Sequence, residues 1–172
     1  NSQEVQQALR RGTVDIGIYE GSLGMVDLPT APYRSDRLEL VVARGHPLAR
    51  RRKVTLADIL DCDLITLGES SAISIMLDRL AEEAGRVPRM RMRVGGFDSI
   101  AALVAQSLGV GVMPQAIAAE IAAGSRFVRL AIAEPWAGRQ FVICHRPADA
   151  LSSAAIGVLA VLAQNAKPEI PK

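Results

Sequence analysis

The stretch of residues 98–114, which reads DSIAALVAQSLGVGVMP, carries a clear sign of the fold class. Its first half places apolar residues at steps of three and four. Asp98 or Ser99 stands where a capping residue is needed, so this half predicts a helix. Its second half, from Gly109 to Pro114, is an apolar run closed by proline, which predicts a strand. A helix that passes directly into a strand is a repeating unit of α/β folds.

The same alternation continues on both sides of this stretch. Strand patterns are predicted at Val14–Ile18, Leu38–Ala43, Leu64–Leu67, Met90–Val94, Phe127–Leu130 and Gln140–His145. Helices are predicted from Ser2 to Gly12, from a capping box at Thr55 and Asp58, from Ile73 to Gly85, along an alanine-rich segment to Gly124, and from Ser153 to Ala166. The last of these is the most apolar and is predicted to be a core helix. In the strand at 90–94, Met90, Met92 and Val94 alternate with Arg91 and Arg93.

Composition excludes several classes of protein. Of 172 residues, 49% are hydrophobic and 22% are charged, which excludes a disordered chain. Aromatic residues make up only 3%, too few for the stacking platforms that bind single-stranded nucleic acid. A net charge of +2 gives no basic face for duplex DNA. No apolar run reaches the length of a membrane helix, so no membrane contact is predicted.

No constellation for catalysis or metal binding is visible in the sequence. His46 and His145 have no zinc-like spacing to Cys62 or Cys144, and the two cysteines are predicted to be reduced core thiols. The nucleophile elbow, the phosphate-binding loop and the dinucleotide fingerprint are all absent. The sequence therefore predicts no metal, no cofactor and no enzymatic activity.

Polar residues do stand at three predicted helix starts, where free backbone N–H groups favour ligand acceptors. They are Asn1-Ser2, the loop Gly68–Ala72 and the segment Phe97–Ser99. The alternative for each serine is an ordinary N-cap with no ligand. In an α/β sheet these positions lie beyond the carboxyl ends of the strands, so together they predict a ligand site.

The order of these segments resembles the effector-binding domain of LysR-type transcriptional regulators. The matching pieces are LRRGTVDIGI at 9–18, GHPLA at 45–49, VTLADI at 54–59, DLI at 63–65 and LVAQSLGVGVMP at 103–114. Each piece alone is common, but their order and spacing are specific, and they cover nearly the whole chain.

The resemblance implies a fold class, an α/β fold like that of type 2 periplasmic binding proteins. Two lobes with mixed sheets are joined by two crossover strands. The first lobe is expected at residues 1–43 and 141–172 and the second at 44–140. The first residue is not methionine, so we expect the chain to be part of a longer protein. The resemblance implies that the first strand and helix of the domain, and a winged helix-turn-helix, precede it.

The function that the resemblance implies is effector sensing in a bacterial transcription regulator. A small-molecule inducer is expected in the cleft between the lobes, and DNA is expected to be bound only by the preceding winged helix-turn-helix. Self-association as a dimer or tetramer and a cytoplasmic location are further expectations. The alternative is a secreted solute-binding protein of the same fold. The positions that match the effector contacts of the family are Ser2, Tyr19, Ser70, Ser71, Ala72, Phe97, Asp98, Met113 and Pro114.

Overall fold

The computed structural model describes residues 2–21, 27–122 and 126–167. Strands β1 to β8 are, in chain order, Ile16–Glu20, Thr30–Ala43, Lys53–Val54, Asp63–Leu67, Arg89–Val94, Val110–Pro114, Phe127–Ile132 and Gly138–His145. Helices α1 to α6 are Ser2–Arg10, Leu56–Leu60, Ala72–Glu83, Phe97–Ala105, Gln115–Ala122 and Ser153–Gln164. The predicted α/β alternation is confirmed, whereas the predicted helix end at Gly124 lies outside the described residues.

The chain divides into two compact units. Unit 1 comprises residues 1–36 and 138–172, and unit 2 comprises residues 37–137. The boundary within β2 falls before Arg37 because the following residues of this strand, as far as Ala43, pair with β6 and β7 of unit 2. The lobe division expected from the sequence, 1–43 with 141–172 and 44–140, stays a prediction.

Unit 1 is built on an antiparallel pair of strands. β1 pairs with β8, so that Ile16 faces His145 and Glu20 faces Phe141. α1 packs directly on β1, because a Cβ on Gly17 would lie 2.4 Å from the Val5 side chain. The Glu20 N–H donates to the Ser2 hydroxyl oxygen at 3.3 Å, so the N-terminus of α1 lies beside the carboxyl end of β1.

Unit 2 contains a mixed sheet with the strand order β3-β7-β2-β6-β4-β5. β4 runs parallel to β5 and β6, whereas β2 is antiparallel to β6 and β7. On one face of the sheet, Leu40 and Leu64 of the strands pack with residues of α2 and α3, including Leu77. On the other face, Ile65 of the sheet packs with residues of α4 and α5, including Ile100. Unit 2 is therefore a sheet with helices on both sides.

The stretch at 98–114 has the predicted helix and strand, and its glycines explain their contact. A Cβ on Gly111 would lie 2.3 Å from Cγ2 of Ile100, so the missing side chain lets α4 lie directly on β6. A Cβ on Gly109 would lie 2.6 Å from the carbonyl oxygen of Asp63 at the start of β4. Both glycines are thus required by close packing.

The structure confirms one predicted helix cap and corrects another. The capping box at Thr55 and Asp58 is confirmed, with each side chain bonded to the other residue's backbone N–H. The prediction that Asp98 or Ser99 caps α4 is wrong, because the helix begins at Phe97 and Gly96 is its capping residue. The helix start is set by the backbone at Gly96, which lies before both of the predicted capping side chains.

Tertiary contacts set the burial of residues in β5 and α6. In β5 the alternation fails at Met92, which is 40% exposed, because the pairing register with β4 shifts between Leu64 and Ile65. The prediction that α6 is a core helix is also wrong. Only Ala155 of this helix is buried, while Ile156 and Val161 are 52% and 57% exposed. A helix that is apolar on every side carries no periodic signal to say which face is covered.

We expect the substitution Gly111→Ala to lower the free energy of unfolding by about 1–3 kcal/mol, because the added methyl group overlaps Ile100. Urea unfolding would measure the loss. Gly45→Ala is the matched control, since none of the described atoms lies within 4 Å of the place that its Cβ would take. Equal stability losses in the two variants would contradict this explanation.

We also expect acid to weaken the turn that follows β2. His46 caps the short 3-10 turn Pro47–Arg50, where its Nδ1 atom accepts a hydrogen bond from the Leu48 N–H at 3.2 Å. Desolvation by burial lowers the pKa of His46. A lowered folded-state pKa means that the neutral ring stabilises the fold above the unfolded-state pKa. This stability is lost as the pH falls through the folded-state pKa.

The measurement is the urea midpoint between about pH 8 and about pH 5. The wild-type chain should lose more stability over this range than His46→Asn, whose side-chain oxygen can accept the same bond but does not titrate. Parallel pH profiles for the two proteins would rule out a contribution from His46.

Candidate functional site

Most of the predicted contact residues lie at one edge of the sheet in unit 2. Because β4 is parallel to β5 and β6, the carboxyl ends of these three strands meet at the same edge. The loop after β4 carries Ser70–Ala72, and α4 begins after β5 with Phe97 and Asp98. β6 ends at Met113 and Pro114. The topology thus brings together three segments that are far apart in the sequence.

The start of α3 is the part of this edge best suited to bind a ligand. Ser71 occupies the N-cap position of this helix, but its side chain makes no capping hydrogen bond. The neighbouring residue, Ser70, is exposed. The first turn of a helix also presents backbone N–H groups that lack intrahelical partners. Serine hydroxyls and N–H groups here are free to meet an acceptor group.

Ser74 fixes the position of this loop, and sequence reasoning missed it. Its Oγ atom donates a hydrogen bond to the Leu67 carbonyl oxygen at 3.0 Å, and its side chain is fully buried. This bond ties the first turn of α3 to the last residue of β4. The sequence offered one signal, a serine within an otherwise apolar helix face.

Arg93 is a second residue that sequence reasoning missed. Its guanidinium group lies 3.6 Å from Glu69 and 3.7 Å from Asp78, distances that are too long for strong hydrogen bonds. Its Nη1 atom is buried without a hydrogen-bond partner among the described residues. The alternating pattern of β5 gave no sign of this, because the register shift places Arg93 beside α3.

The remaining residues at this edge differ in exposure. Phe97 is half-buried and packs against both apolar clusters of unit 2. Asp98 is exposed in the first turn of α4, where its charge is favourable to the helix dipole. Met113 is fully buried in the cluster around α4. A ligand at this edge would therefore meet the side chain of Phe97 or Asp98 before that of Met113.

Ser2 and Tyr19 belong to unit 1. The Ser2 hydroxyl oxygen accepts a hydrogen bond from the Glu20 N–H at 3.3 Å, so it links α1 to the end of β1. Ser2 is the first residue of α1, and Tyr19 lies within β1. Tyr19 is 2% exposed, and its hydroxyl has no hydrogen-bond partner in the described part of the chain.

One cysteine lies near a histidine, with 4.0 Å between the Cys62 Sγ atom and Nε2 of His46. Burial is the main cause that raises the pKa of the Cys62 thiol, with nearby aspartates adding to it, so the thiol stays protonated. The Cys62 thiol donates to the Asp58 carbonyl oxygen at 3.3 Å, and Cys144 is fully buried. Both cysteines are free. Within residues 2–21, 27–122 and 126–167, no three His, Cys, Asp or Glu residues form a group that could hold a metal ion.

The fold and the sequence place the chain in a known class. A family model described as the LysR substrate binding domain matches residues 1–167. The chain belongs to this family. It is an effector-sensing regulatory domain of the kind found in LysR-type transcriptional regulators.

A curated relative from Escherichia coli (strain K12), the transcriptional activator protein LysR, is 30% identical over 145 residues. The match covers 80% of this chain and 47% of that protein. The chain spans less than half the length of this and other curated regulators that it matches, with 36% for the regulator SsuR of Burkholderia cenocepacia.

Solved structures show the same fold. The CcmR regulatory domain of Synechocystis PCC6803 matches with a TM-score of 0.82 at 20% identity, covering 99% of this chain and 82% of that one. The effector binding domain of QuiR matches with a TM-score of 0.77 at 22% identity, covering 99% and 80%. The fold is thus the mixed α/β fold of LysR regulatory domains, which resembles type 2 periplasmic binding proteins. None of the described helices is long and apolar enough to span a membrane.

We expect Ser71→Ala to leave the free energy of unfolding within about 0.5 kcal/mol of the wild-type value, because this hydroxyl makes no capping bond. Ser152→Ala should lower it by about 1 kcal/mol, since the Ser152 hydroxyl accepts from the Ala155 N–H at 3.1 Å at the start of α6. Urea unfolding of the two variants distinguishes them. A larger loss for Ser71→Ala would mean that Ser71 is a structural cap.

Proposed function

We propose that the chain is the sensor of a bacterial LysR-type transcription regulator and binds a small-molecule effector through Ser70 and Ser71. The observation that carries this proposal is the unused capping position of Ser71 at the start of α3, in a domain of the LysR substrate-binding family. A serine that does not cap its own helix leaves both its hydroxyl and the helix N–H groups for another acceptor.

The related structures support a small, polar effector. The CcmR regulatory domain was solved in complex with 2-PG, and the QuiR domain in complex with shikimate. We infer that the effector of this chain is also a small metabolite. The other predicted contacts, Ser2, Tyr19, Ala72, Phe97, Asp98, Met113 and Pro114, are proposed as further effector contacts within their respective units.

The proposed mechanism needs no covalent chemistry. An effector that binds one conformation of the regulator more tightly than another shifts the equilibrium between them, by an amount set by that difference in affinity. We propose that the domain has no enzymatic activity and uses no cofactor. DNA contact, in this proposal, belongs to a winged helix-turn-helix elsewhere in the protein, and the regulator acts in the cytoplasm as a dimer or tetramer.

We expect Ser70→Ala or Ser71→Ala to weaken effector binding by about tenfold, the loss of one hydrogen bond to a charged group. The full-length regulator is first screened against small metabolites, including shikimate and 2-PG, by thermal shift. The affinity for the metabolite that raises the melting temperature most is then measured by calorimetry.

Ser153→Ala is the control, because this exposed serine in the first turn of α6 lies outside the predicted contacts. Affinities that are equal in the control and in both loop variants would refute the role of the α3 start. The proposed role as a sensor would then have to rest on other residues.

A further inference from the structure

The segment Arg50–Lys53 holds four consecutive basic residues, all of them exposed. We call it the basic segment. The whole chain has a net charge of only +2, so four cations in one segment are a large local excess. The proposed function uses none of them.

Most of these cations lack an ion-pair partner among the described residues, unlike the arginines before and along β5. On the opposite edge of unit 2, Arg86 pairs with Asp61, and both Arg89 and Arg91 pair with Asp63. In the basic segment Arg51 pairs with Asp58 at 2.7 Å. Arg50, Arg52 and Lys53 form no ion pair within the described ranges. Three positive charges of the segment are therefore uncompensated there.

The segment is held in place from both sides. Before it, His46 caps the turn that buries Leu48, and the Arg51 N–H donates to the Leu48 carbonyl oxygen at 2.9 Å. After it, Val54 is buried and the Thr55 capping box begins α2. A fixed backbone lowers the entropy cost of binding, since only side chains must be ordered.

The basic segment also leads into an edge strand. β3, which contains Lys53 and Val54, pairs in parallel with β7 and with no other strand of the described chain. Val54 turns its main-chain groups towards β7, where its carbonyl oxygen accepts from the Ala133 N–H at 2.8 Å, so Lys53 is the residue of this two-residue strand whose main-chain groups face outward. Basic residues on an edge strand have a second known use, which is to prevent edge-to-edge aggregation.

We propose that the basic segment is a docking surface for an acidic, extended segment of a partner protein. Carboxylates of the partner would pair with Arg50, Arg52 and Lys53, and its backbone would meet the outward main-chain groups of Lys53. A partner of this kind matches both the uncompensated charge of the segment and the outward main-chain groups of Lys53. Charge protection of the edge would explain the basic residues without any partner.

The test uses the 172-residue chain and a fluorescein-labelled octapeptide of alternating Glu and Thr, which places its carboxylates on one side of an extended strand. Binding is followed by fluorescence anisotropy at low salt. The triple variant Arg50→Gln/Arg52→Gln/Lys53→Gln should bind the peptide about tenfold more weakly than the wild type, because three ion pairs are lost. Added salt should weaken wild-type binding.

The matched control is Arg86→Gln/Arg89→Gln/Arg91→Gln, which removes the same net charge from arginines that already have partners. Its affinity for the peptide should stay within about twofold of the wild-type value. Equal weakening in both triple variants would overturn the proposal, since net charge alone would then explain binding.

Two further results would also overturn it. One is a basic-segment variant that binds the peptide normally but self-associates in sedimentation, which would assign the segment to edge protection. The other is tighter wild-type binding to a labelled DNA duplex than to the peptide, with the difference removed in the basic-segment variant. That result would assign the surface to nucleic acid.

Discussion

The contact between Ile100 and Gly111 is the constraint on which unit 2 depends. α4 can lie on β6 only because no side chain separates them, as the 2.3 Å approach of a Cβ on Gly111 to Ile100 shows. This contact fixes the helix against the strand that lies between β2 and β4. It thereby places the start of α4 beside the carboxyl ends of β4 and β6. The position of Phe97 and Asp98 at the N-terminus of this helix follows from that packing.

The proposed effector contacts of unit 2 follow from the parallel strands rather than from any single motif. Parallel pairing of β4 with its two neighbours gathers the three loops at one edge, where helix starts present N–H groups. Ser74 then anchors α3 to Leu67. Ser71 makes no capping hydrogen bond. A residue that holds the loop and a residue proposed to contact the effector thus stand three positions apart.

Charge is distributed differently at the two edge strands of unit 2, β3 and β5. Along β5, Arg89 and Arg91 share one carboxylate, that of Asp63, so part of the charge at this edge is compensated. Along β3, the basic segment is largely uncompensated by the described residues. Exposed ion pairs add little stability, and the contrast therefore concerns what each edge can bind. The net charge of the chain does not reveal this difference, because it sums the charges of both edge strands.

The sequence was enough to predict the helices, every strand except β3 and the first half of β2, the capping box at Thr55 and the family, because these depend on neighbouring residues and on local periodicity. It also located the loops that hold Ser70, Ser71 and Phe97. Folding was needed to show that Met92 is exposed, that Arg93 lies beside α3, and that apolar residues of α6 face solvent. Strand register and burial are set by partners distant in the chain, so no local pattern encodes them.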